Sequence, residues 1–297
     1  MRPRFLRLEY LKPVHWPIWL LIAVQRGLVF LPWALQRYIG RSIGLIALLC
    51  ARKRRRIALD NLRIAYPALP DRDLYQLRRQ HFQNLGIGIM EIGMAWWASD
   101  RRIARLCDVD GMQHLPAADN PQPVFLAAGH FTSIDMVARG LRLYADFDVL
   151  HRPLGIPLLD AFTEYGRRRC ATTLIDKRSP RALLASLRRN RAVWIAVDQA
   201  DTTSAGIEAP FFGQPAATNT TVPRLADKLS AAVLPLSCIR TASGRYQIKI
   251  HAPLETLGRT LAQDTKTLNQ MVESHIALAP AQYYWIHRRF KRRLAPA

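Results

Sequence analysis

Between residues 123 and 251 the chain alternates short unbroken apolar runs with helix-length stretches, and this restricts the fold more than any other sequence feature. Pro123-Val124-Phe125-Leu126-Ala127-Ala128 and Ala192-Val193-Trp194-Ile195-Ala196-Val197 carry no polar side chain, as strands covered on both faces require. Further strands are expected at 148–150, 172–175 and 233–239, with 246–251 as a partner strand. Helices are expected between them at 133–144, 158–166, 180–189 and 223–230. The pattern predicts an α/β fold with a mostly parallel central sheet flanked by helices.

The first hundred residues read differently. Residues 16–35 are apolar except for Gln25 and Arg26, with Trp16, Trp19 and Trp33 towards the ends. A spanning helix needs roughly 20 apolar residues, and Arg26 near the middle is costly in lipid. The segment therefore suits an interfacial anchor or a single marginal span. A second apolar stretch, 39–50, runs into Arg52-Lys53-Arg54-Arg55-Arg56, a cluster placed to meet anionic headgroups. Helices follow at 57–66, stopping at Pro67, and from Asp71, read as a cap, through Trp97. Gly86, Gly88 and Gly93 either mark close helix packing or weaken the helix. The expected organisation is a hydrophobic membrane anchor at 1–50, a packed helical region at 51–108 and a catalytic α/β domain at 109–297.

The 297 residues carry 43 Lys and Arg against 22 Asp and Glu, a net charge of +21, yet 49% are hydrophobic. That apolar content builds a core and excludes a disordered basic tail. The charge favours anionic partners. Nucleic acid is one such class, but no helix-turn-helix, zinc-finger or RNP pattern accompanies the charge. Cys50, Cys107, Cys170 and Cys238 stand singly, which predicts buried free thiols rather than disulfides or a zinc site.

The sharpest chemical signal is Gly129-His130-Phe131-Thr132-Ser133-Ile134-Asp135, between a predicted strand and a predicted helix. Open α/β sheets place ligands at such strand ends. Thr132 or Ser133 is placed to cap the helix, and Asp135 in its first turn to reach back to the imidazole. A carboxylate on one ring nitrogen leaves the other as general base. No G-x-S-x-G elbow is present, so the expected chemistry is direct. His130 takes the proton of an acceptor hydroxyl as that hydroxyl attacks an acyl thioester. Asp198 also falls at the carboxyl end of a predicted strand and is expected to bind substrate, with a helix cap or salt-bridge partner as the structural alternative.

Beyond this motif the chain resembles the late acyltransferases of bacterial lipid A biosynthesis, within the lysophospholipid acyltransferase superfamily. The resemblance is carried by Ile57-Ala58-Leu59-Asp60-Asn61-Leu62, Met90-Glu91-Ile92-Gly93-Met94-Ala95-Trp96-Trp97, His151-Arg152-Pro153, Ala196-Val197-Asp198-Gln199, Pro210-Phe211-Phe212-Gly213 and the C-terminal Ala279-Pro280-Ala281-Gln282-Tyr283-Tyr284-Trp285-Ile286-His287-Arg288-Arg289-Phe290-Lys291. It implies a glycerolipid acyltransferase-like fold acting at the cytoplasmic face of a bacterial inner membrane. The implied reaction moves a fatty acyl chain from acyl carrier protein, without metal or cofactor, to a hydroxyl of a phosphorylated, Kdo-bearing lipid A precursor. Both substrates are acidic, in keeping with the charge. The resemblance departs at Asp135, where the lipid A branch has Glu and glycerophospholipid acyltransferases have Asp. A lysophospholipid or another lipid hydroxyl is accordingly the alternative acceptor, with acyl-CoA the alternative donor.

The resemblance also places Arg152 at the mouth of the site, to bind phosphate or the thioester oxyanion. It makes Lys177 and Arg178 acceptor-phosphate ligands, since 175–178 is similar to the second block of glycerophospholipid acyltransferases. Phe211 and Phe212 are expected to shape the acyl pocket or the core. Arg288, Arg289, Lys291, Arg292 and Arg293 read as a basic tail, and the other histidines as structural. A monomer is expected.

Overall fold

The computed structural model describes residues 5–117, 119–255 and 257–290. Four helices come first: α1 (Trp16–Leu28), α2 (Trp33–Cys50), α3 (Arg52–Ala65) and α4 (Asp71–Trp97). The short α5 (Asp100–Ala104) leads into β1 (Cys107–Asp110). Then follow β2 (Val124–Ala128), α6 (Ile134–Leu141), β3 (Phe147–His151), α7 (Pro157–Arg167), β4 (Thr173–Asp176), α8 (Pro180–Arg188) and β5 (Ala192–Ala196). The hairpin of β6 (Ile207–Phe211) and β7 (Gln214–Thr218) precedes α9 (Thr221–Leu229), β8 (Ala232–Arg240), β9 (Tyr246–Ile250) and α10 (Leu261–Leu278).

Seven strands form one sheet in the order β1-β9-β8-β2-β5-β3-β4, parallel throughout except where β8 meets β9. The two wholly apolar runs, β2 and β5, are neighbours near its middle. Every residue of β2 is buried, and successive side chains divide between two cores. Phe125 and Ala127 meet residues of α3, α8, α9 and α10, whereas Val124, Leu126 and Ala128 meet Met94 to Trp96 of α4 and Met136, Val137 and Leu141 of α6. The predicted strands and helices of this half are thus present within a few residues. The elements that escaped the sequence include α5, β1, α10 and the β6–β7 hairpin, whose turn is Phe212-Gly213 at φ +50° and +71°. The 108/109 boundary cuts through β1, which belongs to the sheet.

The N-terminal expectation needs correction. The apolar stretch 16–35 is not one helix, because Pro32 cannot continue α1 and instead precedes the first residue of α2. No helix among the described residues is long and apolar enough to cross a membrane. α1 and α2 nevertheless present apolar side chains to solvent. Trp16, Leu20 and Val24 recur at helical spacing on α1, and Leu35, Tyr38, Ile46 and Leu49 on α2. Two caps also differ from expectation. Asp71 is the first residue of α4 and pairs with Arg63 rather than capping, and Ser133 precedes α6 without a side-chain cap bond. Cys107, Cys170 and Cys238 are buried thiols, whereas Cys50 is exposed.

α2 is pressed against α4 backbone to backbone. A Cβ on Gly86 would lie 1.9 Å from the Gly40 carbonyl oxygen, and one on Gly44 2.0 Å from that of Phe82. Deeper in α4, Glu91 is fully buried and pairs with Arg240 of β8, while the Tyr246 hydroxyl donates to it at 2.6 Å. Breaking such a pair costs about 3–5 kcal/mol. Gly86→Ala is expected to lower stability by about 1–3 kcal/mol, because neither backbone can yield. Chemical denaturation measures this, and an unchanged midpoint would mean that the helices separate freely.

Candidate active site

The register of β2 and β5 builds the site. Val124 pairs with Ala192 and Ala128 with Ala196, and the ladder continues as Val197 N–H donates to the Ala128 carbonyl at 3.0 Å. Residues just beyond the two strand ends therefore come level, and these are His130 and Asp198. The Asp198 carboxylate accepts from the His130 backbone N–H at 3.0 Å and lies 2.5 Å from Nδ1 of its ring. Asp198 is 2% exposed and the His130 side chain 28%. Burial alone would raise the Asp198 carboxyl. The adjoining His130 ring, its side-chain and backbone hydrogen bonds and the Tyr283 hydroxyl outweigh that, holding it well below the usual carboxylate range.

The second ring nitrogen is equally defined. Gln199 Nε2 stands 3.1 Å from His130 Nε2, and Lys177 Nζ donates to Gln199 Oε1 at 3.1 Å. The lysine ammonium has only hydrogens to offer, so it takes the amide oxygen and turns the NH2 towards His130. Nε2 is then the acceptor and Nδ1 carries the proton facing Asp198. Both ends of the network demand one tautomer, which leaves the lone pair that a general base needs at the more exposed edge.

Asp135 does not touch the imidazole. Its carboxylate accepts from Trp96 Nε1 at 3.4 Å and from Arg167 Nε at 3.3 Å, and Arg167 Nη1 also meets His151 Nδ1 at 3.0 Å. The expectation that Asp135 orients His130 gives way to Asp198. One helical turn on the chain places Asp135 near the histidine, but the parallel neighbour strand delivers a carboxylate directly onto it. His151 is held below its ordinary pKa by burial and by Arg167, which favours the neutral acceptor ring this contact needs.

The remaining expected residues separate. Lys177 reaches His130 through Gln199. Arg152 follows His151 with its side chain exposed, and Arg178 likewise projects outward after its backbone N–H bonds Asp176. Phe211 is fully buried among Phe212, Tyr283 and Phe290, so it belongs to the core, and Phe212 packs against Tyr66 and Trp285. Arg289 is no tail residue. It is 1% exposed, stacks over Phe211 and donates to Ala217, Thr218 and Asn269. Lys291, Arg292 and Arg293 lie outside the described residues.

The C-terminal segment closes the site. Thr132 N–H donates to the Gln282 carbonyl at 2.8 Å and Tyr284 N–H to that of His130 at 2.9 Å, so the histidine turn is paired as a short antiparallel bridge. Asn61 of α3 donates to the carbonyls of Trp285 and His287 at 2.6 Å each, and His287 Nε2 accepts from Ala200 N–H at 3.4 Å. Sequence reasoning missed Gln199, Tyr283, Arg167 and Asn61 as parts of this frame, although all but Arg167 lie within family-like stretches. No group of three or more His, Cys, Asp or Glu among the described residues is arranged to hold a metal ion.

Comparison with known proteins now adds to the geometry. The family model for bacterial lipid A biosynthesis acyltransferases matches residues 4–292. The lipid A biosynthesis lauroyltransferase of Escherichia coli K12 is 31% identical over 95% of this chain and 94% of its own. The palmitoleoyltransferase of the same organism is 30% identical over 96% and 94%. A solved 1-acyl-sn-glycerophosphate acyltransferase of Thermotoga maritima, at 13% identity and TM-score 0.39, covers 84% of this chain and 97% of its own.

The tautomer is testable without any substrate. In protein labelled with 15N-histidine, His130 is expected as the Nδ1–H form with a low-field ring proton. Asp198→Asn should abolish that signature and Asp135→Asn should leave it. Survival in the first variant, or loss in the second, would return the orienting role to Asp135.

Proposed function

The chain belongs to the bacterial lipid A biosynthesis acyltransferases, and from that membership we propose that it moves a fatty acyl chain from acyl carrier protein to a hydroxyl of a phosphorylated, Kdo-bearing lipid A precursor. The observation that carries the mechanism is the His130 ring with Nδ1 on a buried carboxylate and an acceptor lone pair at Nε2. The acceptor hydroxyl replaces the Gln199 amide at Nε2, as a like-for-like hydrogen-bond donor. As its oxygen attacks the thioester carbonyl, His130 takes its proton, and Asp198 stabilises the imidazolium that forms. Collapse of the tetrahedral intermediate breaks the carbon–sulfur bond, and the leaving thiolate recovers the proton from His130. No acyl-enzyme is formed.

Asp135 acts at one remove in this reading: it fixes Arg167, which with Arg152 lines the mouth where the oxyanion or an acceptor phosphate is met. Lys177 and Arg178 supply further positive charge, Lys177 also holding Gln199 in place. The exposed apolar stripes of α1 and α2 rest in the cytoplasmic leaflet of the inner membrane, as an interfacial rather than spanning attachment.

Two outcomes are expected. His130→Ala should reduce transfer to a lipid A precursor by about 10²–10⁴-fold, and Asp198→Asn by at least about a hundredfold, without loss of fold. Assay with acyl carrier protein thioesters decides this, and wild-type rates in either variant would end the general-base mechanism. Separately, Leu20→Asp/Val24→Asp should lower partition onto anionic vesicles more than tenfold, since each apolar side chain contributes about 1.5–3 kcal/mol when buried. Flotation unchanged by the substitutions would remove α1 from the membrane face.

A further inference from the structure

The basic run that opens α3 divides in two. Arg54 donates to the Ile286 carbonyl and Arg55 to that of Leu48, so both are tied to backbone. Arg52, Lys53 and Arg56 instead line a cleft of about 690 Å³, and Arg288 of the C-terminal segment adds a fourth cation. None of the four forms an ion pair with a described residue. One carboxylate, Asp60, shares the cleft, and Ile57, Ile64 and Phe290 give it an apolar wall. Four cations with no ion-pair partner among the described residues line one concavity and repel one another, and an anion relieves them. The first turn of the 14-residue α3, whose N-cap side chain makes no capping bond, adds to the positive field.

The cleft is also mechanically joined to the catalytic turn. Asn61, on its lining, holds the carbonyls of Trp285 and His287 in the segment whose Tyr284 N–H bonds His130. On the other side along the chain, the exposed apolar stripe of α2 ends at Leu49, three residues before Arg52.

We propose that this cleft is the headgroup subsite of the acceptor and binds a phosphorylated saccharide. The guanidinium and ammonium groups take the phosphate, Asp60 accepts from sugar hydroxyls, and the apolar wall meets the sugar face. A concave site mixing cations, one acid and apolar surface suits a phosphosugar better than an acidic protein, and the adjacent α2 stripe suits the lipid chains of the same molecule. This inference rests on the acyl-transfer reading above.

The test compares Arg56→Gln/Arg288→Gln with the charge-matched control Arg72→Gln/Arg79→Gln, both in the full chain. The acceptor is offered with its phosphates and after enzymatic dephosphorylation. The cleft variant is expected to raise KM at least tenfold for the phosphorylated acceptor, with kcat within twofold and KM for the dephosphorylated acceptor unchanged. Equal KM changes for both acceptors would overturn the proposal. So would a rise in KM for the carrier-protein thioester alone, or weaker binding to anionic phospholipid vesicles with acceptor KM unmoved. A binding titration with glucosamine 1-phosphate reads the cleft independently of turnover, and at least tenfold weaker binding is expected in the cleft variant alone. If wild type binds this probe through the cleft but acylates no lipid A precursor, the acyl-transfer reading fails and the cleft stands as a phosphosugar site. If transfer proceeds and neither KM nor binding responds, the cleft proposal alone fails.

Discussion

A single buried carboxylate organises the catalytic end of this molecule. Asp198 lies almost wholly out of water, where an unpaired charge would be untenable, and three donors compensate it: the His130 amide, the His130 ring and the Tyr283 hydroxyl. Each donor comes from a segment that must be in register for the contact to exist. The amide and ring need β2 level with β5, and the hydroxyl needs the C-terminal segment bridged to the histidine turn. The charge thus makes three separate pieces of folding depend on one another, and a misplaced strand leaves it uncompensated.

From that carboxylate a polar chain runs outward through His130, Gln199 and Lys177. Its direction is set at both ends by groups with one role each, a carboxylate that only accepts and an ammonium that only donates. A second chain, Asp135 to Arg167 to His151, borders it on the strands' carboxyl side. Opposite in character is the Glu91–Arg240–Tyr246 cluster, buried between α4 and the β8–β9 pair and remote in the chain from the catalytic motif.

Much of the sheet was legible because β2 and β5 are apolar throughout, and only a central strand of an α/β sheet has reason to be. Their adjacency was not legible. Nothing local says that the strand at 192 lies beside that at 124, and so the eye pairs His130 with Asp135, its neighbour in sequence. Asp198 was visible as a residue at a strand end, yet its partner came from a register fixed by long-range packing. The β6–β7 hairpin stayed hidden because Pro210 and Pro215 argue against strands, and its turn uses Phe212 in a left-handed conformation that sequence would assign to Gly or Asn. Arg289 shows the reverse case. Within a run of cations it reads as solvated, but the ring of Phe211 and three acceptors make a buried place for it.

The C-terminal closure also orders events in time. Hydrogen bonds from Thr132 to Gln282 and from Tyr284 to His130 cannot form until those late residues have been synthesised. A nascent chain that has already paired β2 with β5 holds its histidine and aspartate, but lacks the bridge that braces the turn and the tyrosine that helps keep the aspartate charged. The active site is therefore completed only once residues 282–284 have left the ribosome, and a protease that removed this segment would unmake it.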